Sequence, residues 1–253
     1  KGNINHSVCK WCYSQIALEE FSVGVKSIGI TGIDLIGPKE WPILKKYGLT
    51  SSMCNGAEIS LTEGWNDKQY HPTLVDNYLK HIDSVAAAGY TNLICFSGNR
   101  REIDDETGLL NCVEGLQKIL GHAEKKGVII QMELLNSKVD HKDYMCDNSI
   151  WGFELCRRIG SSNFKLLYDI YHMQINEGDV IRTIGENHQF IGHYHTAGVP
   201  GRNEIDQTQE LFYPAIMNAI VDTGFKGFVA QEFIPKNDNP MQSLESAIKI
   251  CDI

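Results

Sequence analysis

The chain has 253 residues, 42% hydrophobic and 22% charged, the composition of an ordinary globular protein and not of a disordered or fibrous one. That length buries a sizeable core without staples, and it suits either two small domains or one barrel or sandwich. Against 23 Lys and Arg stand 32 Asp and Glu, a formal net charge of −9, which repels phosphate backbones at long range and excludes nucleic acid as the expected partner.

A weak strand around Ser7-Val-Cys9 opens the chain. The next segment, Cys9-Lys-Trp-Cys12, has redox-motif spacing, but that role needs a helix N-terminus in a shorter fold. Eight cysteines (Cys9, Cys12, Cys54, Cys95, Cys112, Cys146, Cys156, Cys251) are dispersed along the chain. That is no small disulfide scaffold, and a second CxxC to complete a zinc site is missing. Reduced thiols packed at the end of the first strand are expected.

Short apolar runs then read as buried strands: Ile33-Asp-Leu-Ile36, Leu49-Thr-Ser-Ser-Met53, Leu93-Ile-Cys-Phe96, Val128-Ile-Ile-Gln-Met132, Phe164-Lys-Leu-Leu-Tyr168, Phe190-Ile-Gly-His-Tyr194 and Phe228-Val-Ala230. Runs this apolar suit a parallel sheet covered on its outer face. Helical periods lie between them, for example Leu74, Tyr78, Ile82, Val85 and Ala86, and then Leu109, Val113, Leu116, Leu120 and Ala123. The second ends Lys125-Lys126-Gly127, cations in the last turn and a glycine after it. Gly29, Gly48, Gly89, Gly160 and Gly224 stand where other helices should stop. Ser14 and Asp179 are expected to cap helices, and Pro240 to start one. The period Leu244, Ala247, Ile248 carries that last helix to the end of the chain.

About eight strand–helix units in about 250 residues predict an α/β fold: one (β/α)8 TIM barrel, a parallel eight-stranded barrel with outer helices, as a single domain over residues 1–253. A doubly wound open sheet lacks its G-x-G-x-x-G after the first strand. The long irregular stretches 55–71, 136–147 and 196–210 each follow a strand, the side where such barrels keep their chemistry. No run reaches the ~18 apolar residues of a membrane span, so no membrane partner is expected. The chain opens Lys1-Gly2 without an initiator methionine, which leaves the compartment open: cytoplasmic by default, exported if a leader has been removed.

Four candidate metal ligands end successive strands, one strand–helix repeat apart: Glu133, Asp169, His195 and Glu232. A lone strand-end carboxylate reads as a loop cap or an ion-pair partner. Four in phase read differently, because a charge closing a buried apolar run needs a partner or a cation. Three carboxylates and one imidazole suit Mg²⁺, Mn²⁺, Co²⁺ or Zn²⁺ better than a soft metal. His193 shares a strand face with His195; the deeper His193 is expected to support and His195 to ligate. His172 follows Asp169 by three residues. Arg202 either forks a substrate's carboxylate or hydroxyls, or pairs at the surface with Glu204. Trp11, Cys54, Asn55 and Asn99 end earlier strands, and a structural role is expected for them ahead of a place in the pocket wall.

At Met132-Glu-Leu-Leu-Asn136, Tyr168-Asp-Ile-Tyr-His-Met-Gln174, Val199-Pro-Gly-Arg-Asn-Glu204 and Gly227-Phe-Val-Ala-Gln-Glu232 the chain resembles the hydroxypyruvate isomerase family, within the xylose-isomerase-like group of sugar isomerases and epimerases. The resemblance implies the barrel and one divalent metal on Glu133, Asp169, His195 and Glu232, with Mg²⁺ or Mn²⁺ ahead of Zn²⁺ or Co²⁺. It also implies Glu133 and Glu232 as acid/base residues, and His172 and Arg202 as substrate contacts. The activity so implied is isomerisation of hydroxypyruvate or a related sugar through an enediolate. Hydroxypyruvate isomerases often carry glutamine where this chain has His195, and ketose 3-epimerases carry histidine there. A ketose 3-epimerase, an inosose-type dehydratase and a non-catalytic metal-dependent sugar-binding protein therefore remain alternatives. A three-zinc endonuclease on the same barrel would need further His and Glu ligands and a basic face. The expected partner is a small carbonyl or sugar substrate, and because barrels of this group often pair, a homodimer is left open.

Overall fold

The computed structural model describes residues 2–253. Eight strands alternate with helices: β1 (Asn5–Cys9), β2 (Gly32–Ile36), β3 (Thr50–Cys54), β4 (Asn92–Cys95), β5 (Ile129–Glu133), β6 (Phe164–Asp169), β7 (Ile191–Thr196) and β8 (Phe228–Gln231). Every pairing is parallel, and β8 returns to β1, so the sheet closes into a barrel in chain order. The outer helices are α1 (Leu18–Ser27), α2 (Trp41–Lys46), α3 (His71–Ala88), α4 (Asp105–Lys126), α5 (Ser149–Ile159), α6 (Ile170–Asn176), α7 (Val180–Asn187), α8 (Tyr213–Asp222) and α9 (Pro240–Cys251). This is the (β/α)8 architecture expected of the apolar-run and helical-period alternation. Among the described residues no helix is long and apolar enough to cross a membrane.

The strands fall within one or two residues of the apolar runs. Leu74, Tyr78, Ile82 and Val85 form the buried face of α3, while α4 buries Leu109, Leu116 and Leu120 together with Cys112 and Ile119. Helix α4 ends at Gly127 with φ 69°, a left-handed position that a Cβ would strain. Two caps differ from expectation. Ser14 only closes a 3₁₀ turn, Lys10–Tyr13, and α1 starts four residues later, after Ala17. Asp179 does precede α7, but at φ 46° its side chain makes no cap and pairs with Arg182 Nε at 2.9 Å. The last helix stops at Cys251, short of the chain's end.

Register sets the height of the site. Asp169 pairs with His195 across β6 and β7, and His195 with Ala230 across β7 and β8, two residues below Glu232. The ladder is thinnest between β3 and β4, where one pair joins them, Cys54 with Leu93. Loop backbone extends the contact. Trp65 N–H donates to Phe96 O at 3.3 Å and Asn66 N–H to Ser97 O at 2.8 Å. Gly64 permits this approach, because a Cβ there would lie 2.3 Å from Gly98 N. Backbone cannot yield as a side-chain tip does, so Gly64→Ala should lower unfolding stability by about 1–3 kcal/mol. Gly121→Ala, on the open face of α4 with nothing within 4 Å of the added methyl, should raise it by about 0.5–1 kcal/mol. Urea denaturation of the two variants checks both signs.

Candidate metal centre and active-site pocket

The four strand-end residues converge. One donor atom from each of Glu133, Asp169, His195 and Glu232 lies within 4.8 Å of all the others, and all four side chains are buried. His195 Nδ1 faces the carboxylates, at 3.1 Å from Glu133 Oε1, 3.0 Å from Glu232 Oε2 and 3.9 Å from Asp169 Oδ2. Asp169 is held from below by its chain context: it stands at the N-cap of α6, and its Oδ1 accepts from His172 N–H at 3.0 Å.

The far side of the His195 ring meets a carboxylate that the motif reading does not single out. Asp34, in the middle of β2 and fully buried, takes His195 Nε2 at 3.1 Å and His193 Nε2 at 2.5 Å on the same oxygen, Oδ2. Its other oxygen accepts from Ser7 Oγ at 2.7 Å and from Ser52 Oγ. Burial by itself would raise the Asp34 carboxyl, but the two imidazoles outweigh it and hold the group below the usual carboxylate range. Burial would lower the His195 imidazole, but the groups around it, Glu232 and Asp34 among them, dominate and raise it well above its usual range. Both ring nitrogens therefore face carboxylates as donors, and an arriving cation would displace the Nδ1 proton and take its lone pair. A carboxylate behind a ligating imidazole is the usual way to fix its tautomer and ring plane. A charge inside the run Ile33-Asp-Leu-Ile36 needs a partner, and that alone could have marked Asp34. The expected supporting role of His193 takes the form of this Asp34 contact.

The donor set fits a divalent cation. Three carboxylates outnumber the guanidinium of Arg202 in a buried space, and His195 becomes a nitrogen donor once its Nδ1 proton leaves. Burial and the charge of Glu232 push Asp169 up, and burial pushes Glu133 up, so the cluster resists full ionisation on its own. Glu232 is opposite: burial would raise it, but His195 and Arg202 dominate and hold it well below the ordinary value. A second group, Cys9, Asp34 and His195, also lies within ligand range, on the Nε2 side. Burial raises the Cys9 thiol well above its usual range, which keeps it protonated and a poor ligand. Cys12 is raised for the same first reason, and all eight cysteines are free and buried.

Above the cluster opens a cavity of about 490 Å³, and Glu133 and Glu232 are the two donors that reach its wall. Arg202 lines it too. Its Nη2 donates to Glu232 Oε2 at 2.6 Å, and its guanidinium carbon lies 5.0 Å from the ring centre of Trp11 and 5.4 Å from that of Tyr171. The surface pairing with Glu204 is absent; Glu204 instead accepts from Lys236 N–H, Asn237 N–H and Ser243 Oγ. Trp11 and Asn55 are in the wall, contrary to the structural role expected of them, because β1 and β3 end at the mouth. Trp11 Nε1 also donates to Glu232 Oε1 at 2.8 Å. Cys54 and Asn99 keep structural roles, bonded to Ser51 and bridged to Tyr144.

His172 is fully buried beside the cluster rather than in the wall, and His141, which is in the wall, meets it edge to face with ring centres 5.2 Å apart. Asn136 Oδ1 accepts from Val139 N–H and Asp140 N–H, both at 3.0 Å, so its amide nitrogen must face His172 Nδ1, at 2.6 Å. His172 Nδ1 therefore accepts, and Nε2 carries the proton, with no partner and 3.7 Å from Asp169 Oδ2. Burial, with Arg202 nearby, holds this imidazole neutral.

Residues 41–251 match the model of a protein family described as xylose isomerase-like TIM barrel. The chain belongs to that family. A putative hydroxypyruvate isomerase of Homo sapiens is 30% identical over 126 residues, 50% of this chain and 46% of that protein. A 2-oxo-tetronate isomerase of Cupriavidus necator is 33% identical over 124 residues, 49% of this chain and 47% of that one. The matches thus span about half the length of these curated relatives. Among solved structures, D-psicose 3-epimerase with D-tagatose from Clostridium cellulolyticum H10 superposes with a TM-score of 0.79 at 17% identity, covering 98% of both chains, a likeness of fold. Within this xylose isomerase-like barrel, Asp34→Ala should strand two hydroxyls and two imidazole nitrogens in a buried space and cost about 3–5 kcal/mol of unfolding stability. Urea denaturation in EDTA measures it, and a loss below about 1 kcal/mol would mean that the network does not hold the barrel interior.

Proposed function

We propose that the chain is a metal-dependent isomerase of a small α-hydroxy-carbonyl compound, with Glu133 and Glu232 as its acid/base pair. The observation that carries this reading is their double placement: both belong to the four-donor cluster and both line the cavity. Each can hold a cation and face a substrate carbon at once. The names of the relatives, two isomerases and an epimerase, point the same way.

Glu133, Asp169, His195 through Nδ1 and Glu232 would hold one divalent ion, Mg²⁺ or Mn²⁺ ahead of Zn²⁺ or Co²⁺ for a set with three oxygen donors. When bound, that ion supplies Lewis-acid stabilisation of negative charge on substrate oxygens. The protein's own groups do the rest. A glutamate takes the proton from the hydroxyl-bearing carbon beside the carbonyl, leaving an enediolate, and a glutamate returns it to the former carbonyl carbon, while the hydroxyl proton passes to the former carbonyl oxygen. The His195 contact of Glu133 falls on Oε1 at 3.1 Å and the residue lines the cavity, which leaves Oε2 for proton transfer. Glu232 is fixed at both oxygens, by Trp11 and by Arg202. Its orientation is therefore set before substrate enters. Arg202, in the cavity wall with its Nε unpartnered, is a donor for a substrate oxygen, whereas His172 Nε2–H, also unpartnered, lies behind the wall beside Asp169 and would reach substrate only through that carboxylate.

Epimerisation uses the same two carboxylates, one on each face of a single carbon. His195 favours that second reading, as the residue that ketose 3-epimerases carry at this position.

Glu133→Gln and Glu232→Gln should each slow exchange of solvent deuterium into substrate by about 10²–10⁴-fold with an unchanged circular dichroism spectrum; exchange at the normal rate in both variants would refute the pair. EDTA should stop turnover and Mn²⁺ or Mg²⁺ restore it, whereas full activity in a sample verified as metal-free would remove the cation from the mechanism. Asp34→Asn, which keeps the shape behind His195 but not the charge, should weaken Mn²⁺ binding by about 10–100-fold in calorimetric titration.

A further inference from the structure

The cavity has two unlike halves. The charged groups on one side are Glu133 and Glu232, at the ends of β5 and β8, and Arg202, from the loop after β7. The opposite side, fed by β2, β3 and β4, is mainly apolar: Leu35, Ile59, Leu61, Ile94 and Phe96, with Leu135 closing the gap. Asn55, Glu58 and Ser60 are the polar residues on that side, and none of them is a cation.

Arg202 is the single arginine or lysine in the wall, and its charge is already met by Glu232 at 2.6 Å and by Asp169 at 3.9 Å. What it still offers is its remaining N–H groups, the unpartnered Nε–H among them, donors for a neutral oxygen as much as for a charged one. His141 adds no charge, because burial and the nearby guanidinium lower its pKa. A substrate carboxylate or phosphate directed away from the cluster would meet apolar side chains and the Glu58 carboxylate. Burying such a charge without a partner is strongly unfavourable. Size points the same way: about 490 Å³ falls within the range of pockets that enclose ligands much larger than a three-carbon acid.

From this division we propose that the substrate is a neutral hydroxy-ketone of five or more carbons with a deoxygenated tail, whose hydroxy-carbonyl end meets Glu133 and Glu232 and whose tail packs on Leu35, Ile59, Leu61, Ile94, Phe96 and Leu135. The assignment rests on the isomerase reading and narrows it away from 2-oxo acids. Hydroxyls on the tail find only Asn55, Glu58 and Ser60 on that side, fewer partners than water offers, and an anionic tail is excluded by charge.

The test is deuterium exchange from solvent, with Mn²⁺-loaded protein, into four probes: hydroxypyruvate, a ketohexose, the corresponding 6-deoxyketohexose and the ketohexose 6-phosphate. The 6-deoxy compound should exchange with a kcat/KM about tenfold above the parent ketohexose, and hydroxypyruvate and the phosphate about a hundredfold below it. Hydroxypyruvate or the phosphate matching the neutral sugars would overturn the substrate assignment and leave the isomerase reading standing. Exchange into none of the four by folded, metal-loaded protein would overturn the isomerase reading and the assignment with it. A variant reads the wall directly. Leu61 is partly exposed at the mouth, so Leu61→Lys should fold, and it should raise kcat/KM for the phosphate relative to the 6-deoxy compound by about tenfold. An unchanged ratio would show that this side of the cavity does not contact the tail.

Discussion

His195 stands between two sets of carboxylates, and the site depends on how its two nitrogens are divided. Asp34 takes Nε2 from within the barrel, and Glu133, Asp169 and Glu232 surround Nδ1 at the mouth. Neither arrangement is stable alone. Without Asp34 the imidazole has no fixed tautomer, and without a cation three buried carboxylates repel one another. The barrel supplies the rigidity that keeps both in place, since each of these groups sits on a strand or at the residue that ends one.

The closed sheet also explains why chemistry gathers on one half of the mouth. Glu133, Asp169, His195 and Glu232 stand at or beside the ends of β5 to β8, while β2 to β4 and the loop after β3 present mainly apolar side chains, with that loop's backbone bonded to the segment after β4 around Gly64 and Gly98. A pocket built this way would polarise one end of a ligand and desolvate the other. Arg202 belongs to both functions: it balances Glu232, and it stacks between Trp11 and Tyr171, which keeps a long side chain in one orientation at the border of the two halves.

Much of this is legible in the sequence, for reasons that are physical. Buried parallel strands must be apolar throughout, so their runs stand out and their ends fall within a residue or two of the observed ones. A charge closing such a run is conspicuous, which is why the four strand-end donors can be picked out before any coordinates. Asp34 is equally conspicuous in principle, but it sits mid-strand, and its partners, Ser7, Ser52, His193 and His195, come from three other strands. Pairing across a closed barrel is a property of register and not of local pattern. The same holds for Trp11 and Asn55, whose place in the wall depends on where two short strands stop. Ser14 and Asp179 look like helix caps by residue type, but capping is decided by backbone angles that neighbouring turns impose.

The most direct measurement is an anomalous difference map from a crystal of the protein soaked in Mn²⁺. The account predicts one strong peak, about 2.0–2.3 Å from His195 Nδ1 and from oxygens of Glu133, Asp169 and Glu232. A peak on the other face of the ring, between Cys9, Asp34 and His195 Nε2, or no peak among these residues at all, would contradict it.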